Sequence, residues 1–472
     1  MPTRRQVIAA VTALAAAPRR AAALGRPPQG PVAGSTAPRP GWLAPLEGDI
    51  SRLVTASMGS TQGWDRLAEL CDTFGGRLTG SRNLELAIEW AADTMRRDGL
   101  ERVRLQETKA PHWVRGAESL DIVTPAASPL VMLGLGGSVG TPPDGLTAPL
   151  MVVRSFDELR TRASEVTGRI VLYDVPFTSY GQTVTYRAAG PSQAARFGAL
   201  ATLVRSVGPM GLRTPHTGAL TYQADLPRIP GAAIPVEDAN RLARLVARGV
   251  PVTLRLRMAA QTLADADSAN VIGEITGRER PDEVVLLGGH FDSWDPAGGA
   301  SDDGVGCIVT WEAARLMRQL ALRPRRTVRI VLFTNEENGL RGGLAYRDGF
   351  AADAAKHVMA LESDIGVFEP MRLGFTGNDR ARQMMADVVD LLRPLGFPPL
   401  GPGGGGADIG PIAQVGQVPT MALSGDTTQY FQIHHTPADT VERIAPREVA
   451  KAAAGIAAVA WAAAEMPEAL PR

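Results

Sequence analysis

Short apolar runs that end in glycine, histidine or acidic residues recur through the C-terminal half of the chain. Residues 284–287 lead into Gly288, Gly289 and His290, and residues 328–333 lead into Thr334, Asn335, Glu336 and Glu337. Residues 358–361 lead into Glu362, Ser363 and Asp364 in the same way. Apolar runs of this length, bounded by polar residues and glycine, are typical of buried strands. Residues 307–320 instead have apolar positions at the spacing of a helix. The pattern predicts alternating strands and helices, and hence an α/β fold.

The elements at the two ends of the chain follow the same rules. Helices are predicted at 50–61, 63–74 and 83–99, a strand at 103–107, and a C-terminal helix at 446–465. Between residues 113 and 261 the pattern changes to short strands and turns. Strands are predicted there at 150–153, 170–175, 199–205, 233–235 and 252–257, with helices at 191–197 and 236–247. We therefore expect a β-rich insert at 113–261 that divides one larger domain into parts at 46–112 and 262–472.

The first residues of the chain resemble a twin-arginine export signal. Arg4 and Arg5 precede an apolar stretch at 7–17, and three alanines at 21–23 offer a cleavage site. The apolar stretch is shorter than the roughly 20 residues that a membrane span requires. We expect an export signal at 1–24 and a Pro/Gly/Ala-rich linker at 25–45, and therefore a periplasmic or secreted protein without a membrane span. Pro18-Arg19-Arg20 is atypical and leaves open whether the leader is removed.

Composition restricts the classes of partner. The 472 residues have a formal net charge of zero, a pI near 7.0 and 44% hydrophobic residues. No block of basic residues alternates with aromatic residues, so nucleic acid binding has no electrostatic support. A small neutral or zwitterionic substrate fits this balance better. Cys71 and Cys307 both lie in predicted helices, where buried free thiols are expected rather than a disulfide.

The polar residues after the predicted strands are of the types that bind metals. In an open parallel sheet the ligand crevice lies outside the carboxyl ends of the strands, so these side chains are expected to converge. The candidate ligands are His290, Asp302, Glu337, Asp364 and one of the pair His434 and His435. Two imidazoles and three carboxylates suit zinc, and one carboxylate can bridge two ions about 3.5 to 4 Å apart. The same ligands would also serve cobalt or manganese. The sequence predicts a hydrolase with two metal ions.

These segments resemble the co-catalytic zinc exopeptidases, the family of bacterial leucine-type aminopeptidases and glutamate carboxypeptidase. The resemblance rests on residues 290–295, 311–313, 322–324, 362–364 and 434–435, and it covers nearly the whole chain after the leader. It implies a mixed sheet sandwiched by helices, with a protease-associated domain at 113–261 that acts as a lid. Residues 75–81 are similar to the N-terminal signature of the family. A homodimer is also implied by the resemblance.

The resemblance further assigns roles to single residues. It implies two zinc ions per chain, one held by His290, Asp302 and Asp364, the other by Asp302, Glu337 and His435. Glu336 is the implied general base. His435 is preferred to His434 because the family ligand directly precedes a run like the one at 436–440. Asp292 is expected to accept the second ring N–H of His290, and the peptide after Asp302 is expected to be cis.

The chemistry of this set is peptide hydrolysis. A water held by two zinc ions is acidic enough to supply hydroxide near neutral pH, and Glu336 can move its proton to the leaving amine. We expect an exported exopeptidase that cleaves short peptides, in particular dipeptides. Two alternatives stay open, an amidase or aminoacylase-like deacylase on the same scaffold, and a receptor-like binding protein without catalysis. Ligand geometry alone does not separate aminopeptidase, carboxypeptidase and dipeptidase.

Three residues outside the ligand set are candidates for contact with substrate. Asp408, in the glycine-rich loop that begins at Gly401, could hold a substrate amine, although a mobile turn with a helix cap explains it equally well. Tyr430 could donate a hydrogen bond to the oxyanion. His216 could face the substrate from the insert. His112 and His357 are expected at the surface or at strand edges.

Overall fold

The computed structural model describes residues 39–209 and 211–472. The predicted export signal at 1–24 and most of the predicted linker at 25–45 lie outside these residues. Leu43 is fully buried in the core, so the folded part begins before the end of the predicted linker. Among the described residues, no helix combines the length and apolar character needed to cross a bilayer.

Twelve α-helices lie in the described residues. They are α1 Glu47–Met58, α2 Gln62–Phe74, α3 Arg82–Arg97, α4 Phe156–Thr161, α5 Tyr180–Ala195, α6 Val236–Ala247, α7 Val305–Gln319, α8 Arg341–Phe350, α9 Asp379–Asp390, α10 Gly410–Gly416, α11 Thr427–Ile433 and α12 Pro446–Glu465. Local signals explain several boundaries. The hydroxyl of Ser81 accepts the N–H of Leu84 and caps α3, and α12 begins with Pro446, which is preorganised for the first helical position.

The strands form two large sheets and a small two-stranded one. The strands are β1 Glu101–Ala110, β2 Trp113–Val114, β3 Glu118–Thr124, β4 Ser128–Leu130, β5 Leu133–Gly134, β6 Leu146–Val153, β7 Ile170–Tyr173, β8 Ala201–Arg205 and β9 Gly231–Ile234. They continue with β10 Thr253–Met258, β11 Gln261–Thr262, β12 Ala266–Ile275, β13 Arg280–His290, β14 Arg326–Phe333, β15 His357–Ile365, β16 Arg372–Thr376, β17 Gly401–Pro402 and β18 Thr420–Ser424.

The first sheet has the order β1-β12-β14-β13-β15-β18-β16-β17. Its centre, β14-β13-β15-β18, is parallel, whereas β1, β12 and β16 are antiparallel to their neighbours toward the centre. β14 is buried along its whole length, and β13 and β15 are buried over most of theirs, as expected for a parallel sheet with helices on both faces. The strands predicted at 284–287, 328–333 and 358–361 are confirmed within β13, β14 and β15. The fold is therefore the expected mixed α/β sheet between helices.

Two helices anchor one face of this sheet. α7 is buried on nearly all sides between the sheet and α12. α12 is rich in alanine, is buried from Val449 to Glu465, and packs against α1 and α7. Small side chains let these helices approach closely, so the N-terminal and C-terminal parts of the chain share one core. The loop between β13 and α7, which carries Asp302, is thereby held on a rigid base.

The second sheet is built by residues 118–258, between β1 and β12 of the first sheet. Its order is β4-β3-β10-β6-β7-β8-β9-β5, and β6-β7-β8-β9 are parallel. α4 connects β6 to β7, α5 connects β7 to β8, and α6 connects β9 to β10, so this part has more helix than the short strands of its sequence indicated. Its identification as a protease-associated domain stays a prediction.

Two local predictions were wrong. The helix predicted at 191–197 is α5, which begins at Tyr180 and contains Pro191 in its interior. Proline usually marks a helix start or break, and the Thr- and Gly-containing stretch before it has weak helix propensity. His357 is not at the surface. It is 1% exposed at the start of β15, and its Nε2 lies 2.8 Å from the hydroxyl of Tyr346.

His357 makes folding stability depend on pH. Burial, and then the charge of Arg329, lowers its pKa from about 6.5 to about 4. Between these two values the unfolded chain binds the proton more readily than the folded chain, so stability is lost as pH falls. We expect wild type to lose about 2 to 4 kcal/mol relative to His357→Gln between pH 7.5 and pH 4. Urea unfolding of both proteins at several pH values measures this difference. A difference that does not vary with pH would contradict the buried neutral imidazole.

Candidate active site

The candidate site lies at the carboxyl ends of the parallel strands of the first sheet. His290 is the last residue of β13 and is paired with Phe333, the last residue of β14. Asp364 is near the end of β15, and Glu336 and Glu337 follow β14 on a turn. Because neighbouring parallel strands end at the same edge, residues that are far apart in sequence meet there.

Two groups of side chains come together around Asp302. The Nε2 atom of His290 lies 3.2 Å from Oδ1 of Asp302 and 3.2 Å from Oδ1 of Asp364. The Nε2 atom of His435 lies 3.0 Å from Oδ2 of Asp302 and 3.0 Å from Oε2 of Glu337. Each oxygen of Asp302 therefore faces a different imidazole. The five side chains of the predicted ligand set all belong to these groups.

The chemistry of this set fits bound zinc. Burial raises the pKa of Glu337 and of Asp364, and the neighbouring Asp302 carboxylate adds to both shifts. Oε1 of Glu337 is buried without a hydrogen-bond partner among the described residues, and Oδ2 of Asp302 is buried beside the imidazole of His435. Carboxylates packed together in this way repel one another unless a cation lies between them. Imidazole nitrogens and carboxylate oxygens are ligands that zinc prefers.

His435, not His434, reaches the carboxylates. The loop of the second sheet that carries Thr217 holds His435 from behind. The N–H of Thr217 donates to the carbonyl of His435 at 2.9 Å, and Nδ1 of His435 lies 3.4 Å from the carbonyl of Thr217. His434 instead packs its ring on Tyr430, and its Nε2 lies 3.4 Å from Nε2 of His216. The second sheet therefore contributes directly to the orientation of a candidate ligand.

The predicted contact between the Asp292 carboxylate and the His290 ring is wrong. Nδ1 of His290 lies 3.0 Å from the main-chain oxygen of Asp292 but 3.9 Å from its carboxylate. The carboxylate accepts instead from the N–H groups of Glu336 and Glu337, at 3.0 and 3.2 Å, and from the hydroxyl of Thr79 at 3.2 Å. These three donors satisfy both oxygens of the carboxylate. Asp292 therefore orients the glutamate turn with its side chain and the histidine with its main chain.

Other buried acids hold the backbone of the Asp302 loop. Asp439 accepts from the N–H groups of Ser301 and Asp302, at 2.7 and 3.1 Å. Burial, opposed by these hydrogen bonds and reinforced by the charge of Asp302, raises the pKa of Asp439 to about 7. Asp303 accepts from the N–H of His290 at 3.1 Å. The Asp302-Asp303 peptide is cis, as the resemblance implies. Residues 436–440, on which the choice of His435 as ligand was based, thus also include Asp439, which holds the main chain of Asp302.

Sequence reasoning missed the role of Arg77. Its side chain is fully buried, and its guanidinium donates to the carbonyls of Phe291, at 2.9 Å, and of Gly75, Gly298 and Gly299. It therefore ties the N-terminal signature turn to the loop that follows His290. The only sequence signal for this role was an arginine among the glycines of that signature, and it did not indicate which residues Arg77 contacts.

Glu336 belongs to neither group of candidate ligands. Its pKa is raised well above the usual value by burial, and the carboxylates of Asp364, Glu337 and Asp292 act in the same direction against the opposing charge of His290. It lines the same cavity as the two groups. A carboxylate beside the candidate metal groups but outside them is free to exchange a proton.

A cavity of about 260 Å³ opens over the two groups. Beyond the candidate ligands and Glu336, its lining residues are Tyr180, Arg187, Ile365, Tyr430, Phe431 and His434. Tyr430, one of the three predicted substrate contacts, is in this lining. His216 is not, because it is 1% exposed behind His434 and His435.

Asp408 also lies outside the cavity lining. Its side chain is fully buried, both carboxylate oxygens lack a partner among the described residues, and its N–H donates to Glu362 at 3.1 Å. The glycine-rich loop places Asp408 inside the protein, against Glu362. The position of Asp408 therefore does not support the predicted contact with a substrate amine.

The position of Asp292 generates a test of metal affinity. Asp292→Asn keeps the size of the side chain but cannot accept from both glutamate N–H groups. Because Glu337 then loses its fixed orientation, zinc affinity is expected to fall about 10- to 100-fold. Competition with a chelator measures the change. Thr79→Val, which removes only one donor to the same carboxylate, should have a smaller effect, and equal affinities for Asp292→Asn and wild type would contradict the role.

Known proteins share much of this sequence and fold. A profile described as peptidase family M28 matches residues 270–460. Human carboxypeptidase Q is 44% identical over 429 residues, which are 90% of this chain and 91% of that protein. The crystal structure of a peptidase M28 precursor from Shewanella amazonensis has a TM-score of 0.87 at 33% identity, covering 91% of this chain and 99% of that chain.

A more distant structure shares the fold. A zinc aminopeptidase from Bacillus subtilis matches with a TM-score of 0.66 at 21% identity, covering 86% of this chain and 95% of that chain. The resemblance inferred from the motifs is confirmed by the extent of the human match. The chain belongs to peptidase family M28, the family of co-catalytic zinc exopeptidases.

Proposed function

We propose that this chain is an exopeptidase that holds two zinc ions and cleaves short peptides, in particular dipeptides. The observation that carries the proposal is the position of Asp302, whose two oxygens face His290 and His435 at 3.2 and 3.0 Å. His290, Asp302 and Asp364 would hold one ion, and Asp302, Glu337 and His435 the other. When bound, such ions lower the pKa of water and polarise the carbonyl of the scissile bond.

Glu336 is the proposed general base. Asp292 fixes the main chain of Glu336 through a 3.0 Å hydrogen bond, so the carboxylate is held over the cavity. In that position Glu336 takes a proton from the attacking water and later gives it to the leaving nitrogen, as peptide hydrolysis requires. Its neighbour Glu337 points into the candidate metal group, so the two adjacent glutamates have separate roles.

Tyr430 is the proposed donor to the oxyanion. Burial, and then the charge of Asp302 and other nearby carboxylates, raises the pKa of Tyr430 well above the usual value. The phenol therefore keeps its proton and can donate a hydrogen bond. It lines the cavity, and the ring is fixed by stacking on His434 at a centroid distance of 4.8 Å. A fixed donor at the place where negative charge develops lowers the barrier to reaction.

The size of the cavity favours short substrates. Its volume of about 260 Å³ lies below the roughly 300 to 1,000 Å³ typical of small-molecule sites. Tyr180 and Arg187, on α5 of the second-sheet part, form part of its wall. This supports a lid that limits substrate length. The relatives are named as a carboxypeptidase and a zinc aminopeptidase, which supports exopeptidase chemistry. In a dipeptide the scissile bond is next to both the amino-terminal and the carboxy-terminal residue, so a dipeptide agrees with both names.

The place of action is proposed from the leader alone. The twin arginines and the apolar stretch at 7–17 support export to the periplasm or the medium.

Substitution of Glu336 tests the mechanism. We expect Glu336→Gln to lower kcat for free dipeptides at least about 100-fold, because the amide cannot accept the proton of water. Zinc content should stay unchanged, because Glu336 belongs to neither candidate metal group. The measurement is steady-state hydrolysis by zinc-loaded protein, with zinc counted by elemental analysis. Glu336→Asp, which keeps the carboxylate on a shorter side chain, should retain part of the activity.

A panel of free, N-blocked and C-blocked dipeptides defines the substrate class in the same assay. Cleavage of free dipeptides by wild type, together with loss of activity in Glu336→Gln, supports both the dipeptidase assignment and the base. Cleavage of N-blocked substrates alone would assign the protein to the carboxypeptidases or deacylases. Equal rates for wild type and Glu336→Gln would refute the mechanism.

A further inference from the structure

Arg115 and Asp295 form an ion pair between the insert and the loop that follows His290. Nε of Arg115 donates to Oδ2 of Asp295 at 2.7 Å, and Nη2 donates to Oδ1. The pair is therefore bidentate, the geometry in which a guanidinium and a carboxylate bind most strongly. Among residues 39–209 and 211–472, it is the only ion pair that joins 113–261 to the rest of the chain. The insert is thus fixed by charge to a loop beside the candidate metal groups.

The residue before Asp295 strengthens this link. Trp294 is buried in the hydrophobic core of the insert, where its ring lies edge-on to that of Trp113 at a centroid distance of 6.5 Å. It lies against Gly136, where a Cβ atom would come within 1.9 Å of Cη2 of the indole. Any side chain at that position would displace the ring. The loop after His290 is therefore packed into the insert next to the ion pair.

Arg115 also contacts the residues that support Thr217. Its Nη1 donates to the carbonyl of Gly134, and the hydroxyl of Thr217 donates to the same carbonyl at 2.8 Å. Nη2 of Arg115 lies 3.4 Å from that hydroxyl. The guanidinium therefore fixes the Thr217 loop relative to Asp295.

Thr217 in turn holds the ring of His435. Its carbonyl lies 3.4 Å from Nδ1 of His435 and accepts from Nη1 of Arg187 at 3.1 Å. Nη1 of Arg187 also lies 3.4 Å from Nδ1. When Nδ1 donates its proton to the carbonyl, the lone pair of Nε2 faces Asp302 and Glu337, each 3.0 Å away. A displacement of the Thr217 loop would remove this constraint on the ring.

We propose that Arg115 and Asp295 are positioning residues for His435. They hold the Thr217 loop against the ring, and so raise the zinc affinity of the metal group to which His435 belongs. This assignment rests on the proposed function, in which each chain holds two zinc ions. Loss of either partner leaves the other charge without its counter-ion beside the loop, and the loop moves as that charge turns toward water.

The ion pair acts on one metal group and not on the other. Nδ1 of His290 lies 3.0 Å from the main-chain oxygen of Asp292, and among the described residues neither His290 nor Asp364 has a hydrogen bond to the insert. Arg77 binds three carbonyls of the loop after His290, so this loop stays fixed without the ion pair. Loss of the pair is therefore expected to weaken only the ion beside His435.

Zinc binding by single and double variants tests the assignment. The zinc-loaded full chain is titrated with a chelator, and the remaining ions are counted. In Arg115→Gln and in Asp295→Asn, one ion should bind about tenfold more weakly than in wild type, and the other should bind as in wild type. Anomalous peaks from partly depleted crystals should show that the ion lost first is the one beside His435. Because the two side chains act as a pair, the double variant should lose no more affinity than the weaker single variant.

Arg205→Gln is the matched control. Arg205 and Asp174 form an ion pair at 2.9 Å with side chains 15% and 8% exposed, against 11% and 30% for Arg115 and Asp295. The partners of Arg205, Asp174 and Asn240, both lie within the insert. Loss of this pair should lower the melting temperature and leave the affinity of both zinc ions unchanged.

The outcomes separate this assignment from the proposed function. Equal weakening of both ions, or a fall in melting temperature alone, would show that the pair only joins the insert to the first sheet and would overturn the assignment. Additive losses in the double variant would overturn it too. In either case a wild type that holds two ions and cleaves dipeptides keeps the proposed function. If wild type holds fewer than two ions, the proposed function fails and the assignment fails with it. If Arg115→Gln does not fold, Asp295→Asn breaks the same pair at its more exposed side chain.

Discussion

Electrostatic repulsion among buried carboxylates is the constraint on which the rest of this structure depends. Asp302, Glu337 and Asp364 meet at one edge of the first sheet together with Glu336, and two imidazoles are the groups that lie between them. Such an arrangement is stable only if each acid is held in place and positive charge is supplied. The surrounding structure meets both needs. Asp292, Asp303 and Asp439 use their own carboxylates to fix backbone N–H groups, and Arg77 fixes the carbonyls of the same loops.

The second sheet completes the site rather than merely covering it. The main chain of Thr217 contacts both the carbonyl and the ring of His435. Tyr180 and Arg187, on α5, lie in the cavity wall. The candidate ligand His435 and the cavity wall are therefore held by the same loop. This explains why a cluster of three histidines, His216, His434 and His435, lies where the two sheets meet. Only His435 faces the carboxylates, because Arg187 and the Thr217 loop hold its ring in that direction.

The sequence was sufficient for features that depend on local pattern and on strand ends. Apolar runs located β13, β14 and β15, and the polar residues after them supplied the candidate ligands. It was not sufficient where long-range contacts decide the geometry. The partners of the Asp292 carboxylate, the burial of Asp408 and the convergence of Arg187 on His435 all join segments far apart in the chain, and no spacing rule encodes them. The predicted start of α5 was wrong for another reason. Pro191 lies inside the helix, because tertiary packing outweighs the low helix propensity of proline.

The central claim is that Asp302 is shared between two zinc ions. Anomalous diffraction at the zinc edge, from crystals of zinc-loaded protein, tests it most directly. We expect two peaks about 3.5 to 4 Å apart, one between His290 and Asp364, the other between His435 and Glu337, with Asp302 beside both. A single peak, or a peak between His216 and His434 in place of one at Glu337, would contradict it.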